Sequence, residues 1–491
     1  MKLGWFLASI VLLALLAAPL HAAAGDLADE FSAVNESNPD EWYRKGWTLY
    51  NQGEYDEALI ACDGAINIDP QNANAWVLKG LALSDLSRPE EAIEAYDVAI
   101  EIDPQNANAL VLKGLVLSDL GRPEEAIEAY NVALEIDPQN ANLWVLKGLT
   151  LSDLDRPKEA IEAYYVALEI DPQNAAAWND KGRALSRLGR TEEAIEAYDV
   201  ALEIDPQNAA AWTHKGYALD DLSKYGEAVE AYNRAVVIDQ QYMNAWVFKG
   251  LALSDMGRAE DAIGAYDKAL ALDPHNANAW VFKGLALSDL DRPEEAIEAY
   301  NRALLIDPQY ANAWIFKGLA LSEMGRAEYA IGAYDQALAL DPQDAAVWKY
   351  KGDALDNLGK YDEAEKAYNR ALALDPQNAD AWDNKGQLMF ELRRYDESLK
   401  LYDEALKLDS SLTYTWYKKG AALESLNRSA EAAMAYSLGR EMELNSGTKM
   451  AIFVLFLILV IFNETFMAHR ATHADENRNI LILHESDTTS S

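Results

Sequence analysis

Residues 72–105 read NANAWVLKGLALSDLSRPEEAIEAYDVAIEIDPQ, and this 34-residue string decides the fold. Asn72 offers a side-chain oxygen to cap a helix running to Leu86. Ser87 marks the stop. Corresponding positions hold Gly53, Gly121, Gly189, Gly257, Gly325 and Gly359, and glycine tolerates the left-handed conformation that ends a helix. Pro89 then opens a second helix, where a missing backbone hydrogen costs nothing, and Glu90 and Glu91 suit its positive end. That helix runs to about Ile102, and Asp103-Pro104-Gln105-Asn106 turns the chain into the next copy.

Outward from this string, the pattern recurs without insertion. Trp42, Trp76, Trp144, Trp178, Trp212, Trp246, Trp280, Trp314, Trp348, Trp382 and Trp416 stand on a 34-residue spacing, with Leu110 filling the single gap. Twelve consecutive copies cover residues 39–446. A fixed period of this length means stacked supersecondary units, each stabilised by its neighbours. With Trp76 at zero and 100° per residue, Gly80 and Leu83 fall within about 40° of it and define a packing face. Gly80 lets the two helices approach, and Ala92, Tyr96 and Ala99 complete the core. Cys62, the one cysteine, replaces Tyr at a core position and reads as an inert thiol.

Trp76, Gly80, Leu83, Ala92, Tyr96, Ala99 and Pro104 resemble the tetratricopeptide repeat, and the strings are similar to acidic archaeal and bacterial proteins of that family. The resemblance implies an all-α fold, a right-handed superhelical α-solenoid of 12 tandem 34-residue helix-turn-helix units. It further implies that first helices line a concave groove that binds polypeptide segments. Lys79, repeated in every copy, departs from the family, which usually has Leu there. Its stem is expected to pack over the interface while its charge reaches the acidic helix ends. The family's carboxylate-clamping mode needs an Asn where this chain has Leu81, Leu115 or Leu149, so that mode is not expected.

The arc opposite Trp is expected to be the groove wall. It is polar in some copies, with Asn179, Asp180 and Arg183 in the fifth and Lys349, Tyr350 and Asp353 in the tenth. Elsewhere it is apolar. Val77, Leu78 and Leu81 recur as Val111, Leu112 and Leu115, then as Val145, Leu146 and Leu149. Val247, Phe248 and Leu251 recur as Val281, Phe282 and Leu285, then as Ile315, Phe316 and Leu319. Apolar patches of this size mark binding surfaces. Asn74, Asn108 and Asn142 alongside are placed to hold an extended backbone, and Asp85, Asp119 and Asp153 to select positive charge. The expected partner is a protein or peptide with apolar anchors and basic residues. The competing reading is that these side chains merely pack between neighbouring first helices.

The chain carries 81 acidic and 42 basic residues, a net charge of −39, which argues against nucleic acid as a partner. No Gly-rich phosphate loop, Cys/His metal spacing or Ser/His/Asp constellation is present, so no enzyme activity, cofactor or metal is expected. His469 and His473 lie one helical turn apart without further ligands.

Residues 1–24 are expected to form a secretory signal peptide. Lys2 precedes the apolar Gly4–Leu20, and Ala22-Ala23-Ala24 offers a cleavage site. An uncleaved anchor is the other reading. Residues 25–38 form a linker. Met450–Phe462 is unbroken apolar sequence, and continuation to Ala468 reaches 19 residues, near the length that crosses a hydrocarbon core of ~30 Å. Residues 450–468 are therefore expected to span the membrane, with the repeats on the extracytoplasmic side and the polar tail 469–491 within. The expected function is a membrane-tethered protein–protein interaction scaffold. A structural spacer or envelope component without a dedicated ligand, and an intracellular assembly factor, remain open.

Overall fold

The computed structural model describes residues 38–444. The expected signal peptide, membrane span and polar tail lie outside them, as does the linker up to residue 37. Among the described residues no helix is long and apolar enough to cross a membrane. The described chain is an all-α solenoid of 24 helices with no strand. It divides into two compact units, one ending at Pro274 and the other beginning at His275.

In the first unit, first helices begin at Pro39, Ala73, Ala107, Ala141, Ala175, Ala209 and Met243. In the second they begin at Ala277, Ala311, Ala345, Ala379 and Thr413. Second helices run from Tyr55–Ile68 and Pro89–Ile102 through Tyr395–Leu408, and a last one occupies 429–444. Within each unit a helix packs against its predecessor and successor, and first helices touch first helices of adjacent repeats.

The punctuation expected from the sequence is present. The Asn72 side chain accepts from the Ala75 amide at 3.1 Å, and the helix Ala73–Asp85 ends with Leu86 as its cap. Pro89 is the first residue of the second helix. The residue after the cap is left-handed in both its forms, with φ 73° at Gly121 and 60° at Ser87. Ser87 holds a conformation that strains a side chain.

Ala92, Tyr96 and Ala99 are buried, as expected, with Tyr96 only 1% exposed. A Cβ on Gly80 would stand 2.5 Å from Tyr96 Cε1, so the tyrosine ring occupies the space the glycine leaves. Cys62 is fully buried beside Gly46, and burial pushes its thiol up to about 12, which leaves it protonated and unreactive. Trp76 keeps its expected place against the core, though it is not fully enclosed. It is half-buried, with Nε1 donating to the Pro70 carbonyl at 3.2 Å. The ring thus fastens the turn before its own helix. Tyr96 rather than Trp76 fills the centre.

Candidate functional site

The face opposite tryptophan is more deeply packed than the sequence suggested. Leu78 is 1% exposed, Leu81 5%, Val111 4%, Val247 8% and Val281 2%. These residues, and Leu112 with them, are core residues because neighbouring repeats cover that side; a Cβ on Gly46 of the preceding first helix would stand 3.3 Å from Leu78 Cδ2. A helical wheel drawn for one helix contains no such neighbour. Val77, Leu115, Val145, Leu149, Phe248, Leu251, Phe282, Leu285, Ile315, Phe316 and Leu319 are half-buried. Part of their surface is also committed. The Phe248 ring lies 6.2 Å from that of Tyr232 in the preceding repeat, and Phe316 lies 6.1 Å from Tyr300. Packing between neighbouring first helices therefore accounts for much of the recurrence.

What remains accessible is a narrower strip. Asn74 and Asn108 are exposed and Asn142 is half-buried. Asp119 and Asp153 are exposed at the ends of their first helices, and Asp221 and Asp255 stand at the same register further along the first unit. In the second unit Asp289 and Glu323 hold this position. Several of these acids follow a half-buried apolar residue by four positions, as in Leu115 and Asp119, Leu149 and Asp153, or Leu285 and Asp289, whereas Asp221 follows the exposed Tyr217. Four positions is one helical turn, so each pair shares a face. Asp85 is less available. It is half-buried and accepts from the Tyr50 hydroxyl at 2.6 Å.

The polar copies are not solvated walls. Asn179 is buried and its Oδ1 lies 2.9 Å from His214 Nδ1. Asn179 also donates to Asp180, which accepts from Arg183 at 3.2 Å. Burial raises the Asp180 carboxyl, and burial, then Arg183, pushes the His214 imidazole down to about 4. In the tenth repeat Asp353 accepts from Tyr368 and Asn384, each at 2.8 Å, with Lys349 at 3.5 Å. Satisfied polar networks here do the packing that Val and Leu do elsewhere.

The repeated lysine has a definite place. Lys79 Nζ lies 5.1 Å over the Trp76 ring and 2.7 Å from Asp63 on the preceding second helix. Lys113, Lys215, Lys351 and Lys419 make the same ion pair with Asp97, Asp199, Asp335 and Asp403. Its stem covers the interface as expected, but its charge goes to the middle of the neighbouring helix. The signal was available as an aspartate 16 residues before a lysine. Among the described residues no cluster of three His, Cys, Asp or Glu has the arrangement of a metal site. His469 and His473 lie outside those residues.

A stacked helical array that offers surface, with its conspicuous polar residues engaged in packing, defines a repeat protein of the binding-scaffold class. Family models described as tetratricopeptide repeat match residues 39–72 and nine segments, most of them overlapping, between 67 and 439. The chain belongs to the tetratricopeptide repeat family, whose arrays serve as protein–protein interaction scaffolds. No protein of curated function matches it. Similar solved structures include the MamA protein, at 27% identity over 35% of this chain and 94% of that one, with a TM-score of 0.33. The Cut9–Hcn1 hetero-tetramer of APC/C is 16% identical over 80% of this chain and 97% of that one, with a TM-score of 0.41. YrrB, titled a TPR protein with an unusual peptide-binding site, is 26% identical over 38% and 95%, with a TM-score of 0.34.

Proposed function

We propose that this chain is a membrane-tethered scaffold whose first-helix face receives an extended polypeptide with apolar anchors and basic residues. The observation that carries the reading is the repeated pairing of a half-buried apolar residue with an exposed acid one helical turn later, at Leu115 and Asp119, Leu149 and Asp153, and Leu285 and Asp289. Such a strip offers one apolar contact and one charge per repeat, the spacing an extended segment meets as it crosses successive helices. The net charge of −39 would steer a basic segment toward it. The apolar stretches 1–24 and 450–468 support placing the array outside the cytoplasmic membrane and anchored to it.

The test separates contact from packing. Binding of labelled basic, apolar peptides to the full chain is measured by anisotropy, beside the variants Leu115→Ser with Leu149→Ser, and Asp119→Lys with Asp153→Lys. Both pairs should weaken binding about 10-fold or more while leaving the helical signal intact. Leu81→Ser should instead destabilise the array by about 2 kcal/mol or more, since Leu81 is buried. Unchanged peptide affinity in both pairs would sink the groove. Digestion of the repeats by protease added to intact cells tests the placement, and complete protection would exclude it.

A further inference from the structure

In eight repeats the arginine that precedes the second helix holds a carboxylate three residues on: Arg88, Arg122, Arg156, Arg190, Arg258, Arg292, Arg394 and Arg428. The geometry is a two-pronged fork, with Arg88 Nε and Nη2 each 2.7 Å from a Glu91 oxygen. The ninth repeat keeps the arginine and loses the acid. Tyr329 stands where the others have Glu or Asp, and Arg326 is exposed with no ion pair among the described residues.

Two further exchanges meet at the same place. Lys317 is the repeat's version of Lys79, but the residue that would pair with it on the preceding second helix is Asn301 rather than an aspartate. Lys317 Nζ lies 4.9 Å over the Trp314 ring. Lys147, Lys181, Lys249 and Lys385 also lack the aspartate, yet each has a carboxylate on its own repeat or a neighbour pulling its pKa upward against burial. Lys317 has burial alone. Gly332 replaces the larger residue that most copies carry on the outer side of the second helix, and a Cβ there would meet nothing within 4 Å. An open cleft of about 460 Å³ lies here, lined by Trp314, Lys317, Leu321, Arg326, Tyr329, Gly332 and Ala333.

The seventh repeat supplies an internal control. Its second helix reads AEDAIGAYDKALAL against AEYAIGAYDQALAL in the ninth. It has the same glycine, at Gly264, but retains Asp261, which Arg258 holds at 2.7 Å. Loss of the acid, not the glycine, distinguishes the ninth.

We infer that this cleft binds a monocarboxylate carried on an aromatic body, its carboxylate seated in the Arg326 fork where other repeats place Glu. Trp314 and Tyr329, the latter 71% exposed, supply flat apolar walls, and Lys317 supplies the second positive charge. The whole-chain charge favours one negative charge over two, because the unfavourable potential of an acidic protein scales with the charge of the ligand. That argues for carboxylate over phosphate. A free aromatic acid and the C-terminal aromatic residue of a polypeptide share this chemistry. The cleft lies beside Trp314, away from the first-helix strip of the proposed function, and stands or falls independently of it.

The test titrates full-length protein with N-acetyl-4-fluorophenylalanine and reads ¹⁹F line broadening, with the neutral amide and 4-fluorophenyl phosphate as companions. A dissociation constant on the order of 1 mM is expected for the acid, in keeping with a small ligand in a shallow site. The amide should bind at least ~10-fold more weakly. Tyr329→Glu, which restores the ion pair of the other repeats without threatening the fold, should reduce acid binding at least ~10-fold, and Arg326→Gln should do the same. A short peptide ending in free 4-fluorophenylalanine completes the set. Tighter binding than the N-acetyl acid supports the site and assigns it to a chain terminus, whereas equal binding supports the site and assigns it to the small acid. Equal binding of acid and amide, undiminished binding by either variant, tighter binding of the phosphate, or no broadening at about 10 mM acid would each overturn the inference.

Discussion

Asp220 shows what a single residue costs when it breaks the pattern of the repeat. In other copies a serine at this position reaches the buried tyrosine of its own repeat, as Ser186 does to Tyr198 at 3.3 Å and Ser322 to Tyr334 at 3.2 Å. Here Asp220 Oδ1 and the Tyr232 hydroxyl are both buried without a partner. Burial first, then Asp255 and Asp221, pushes the Asp220 carboxyl up to about 6. A carboxyl raised in the folded state favours folding below its unfolded pKa near 3.8, and that advantage is lost as pH rises through about 6. At neutral pH the residue is therefore a net cost. Asp220→Ser should stabilise the protein by about 1 kcal/mol at pH 7, after discounting for solvent screening, and the gain should vanish near pH 4. Urea midpoints at the two pH values measure this; an equal gain at both would assign the effect to something other than charge. His214 has the opposite sign. Its imidazole is pushed down to about 4, so the stability of its neutral form is present above its unfolded pKa near 6.5 and lost as pH falls toward 4. His214→Gln should flatten the loss of stability across that window, and a pH profile of unchanged steepness would remove His214 from the account.

At the scale of the element, the close contact between paired helices depends on one missing side chain. Gly80 faces Tyr96, and the same glycine–tyrosine contact recurs at Gly148 with Tyr164, Gly216 with Tyr232 and Gly352 with Tyr368. A methyl group at Gly80 must displace a ring that is 1% exposed and wedged between helices. Gly80→Ala should therefore cost about 2–3 kcal/mol, even though alanine is the better helix former by up to about 1 kcal/mol. A thermal melt at or above the wild-type value would show that the tyrosine has room to move. This pairing, the caps, the turns and the helix boundaries were legible in the sequence because each depends on residues inside one 34-residue string. The groove was legible only in part. Leu78 and Leu81 look like surface when one helix is drawn alone, and they become core because neighbouring repeats pack against them, Leu78 on Gly46 of the preceding first helix. Asn179 and His214 look like solvated polar residues for the same reason, although they meet 35 positions apart at 2.9 Å. The cleft of the ninth repeat has a sequence signal, the exchange of a recurring acid for Tyr329. It gains meaning only once the fork geometry of the other arginines is known.

For the whole molecule the decisive quantity is the net charge of −39. Acidic residues open nearly every second helix, as Glu90 and Glu91, Glu124 and Glu125, or Glu192 and Glu193, so like charge recurs from repeat to repeat. Neighbouring helices in such arrays stand about 8–10 Å apart, comparable to the Debye length of about 10 Å at 0.1 M salt. Repulsion between adjacent repeats is therefore felt in dilute buffer and screened at moderate ionic strength. Salt also weakens the arginine–carboxylate pairs at the helix starts. Those pairs are exposed, and each contributes little to stability. The collective repulsion is the larger effect, because every repeat interface carries it while the pairs act singly. Raising sodium chloride from about 10 to 500 mM should accordingly raise the urea midpoint of the full chain, corresponding to a gain in unfolding free energy on the order of 1–3 kcal/mol. A monovalent, weakly excluded salt is required, because sulfate stabilises compact states by exclusion whatever their charge. If the midpoint falls instead, the ion pairs dominate and the acidic surface is not under strain. If it rises, the same excess charge is available to draw in a basic segment, and the rate of peptide association should fall over the same salt range in which the fold becomes more stable.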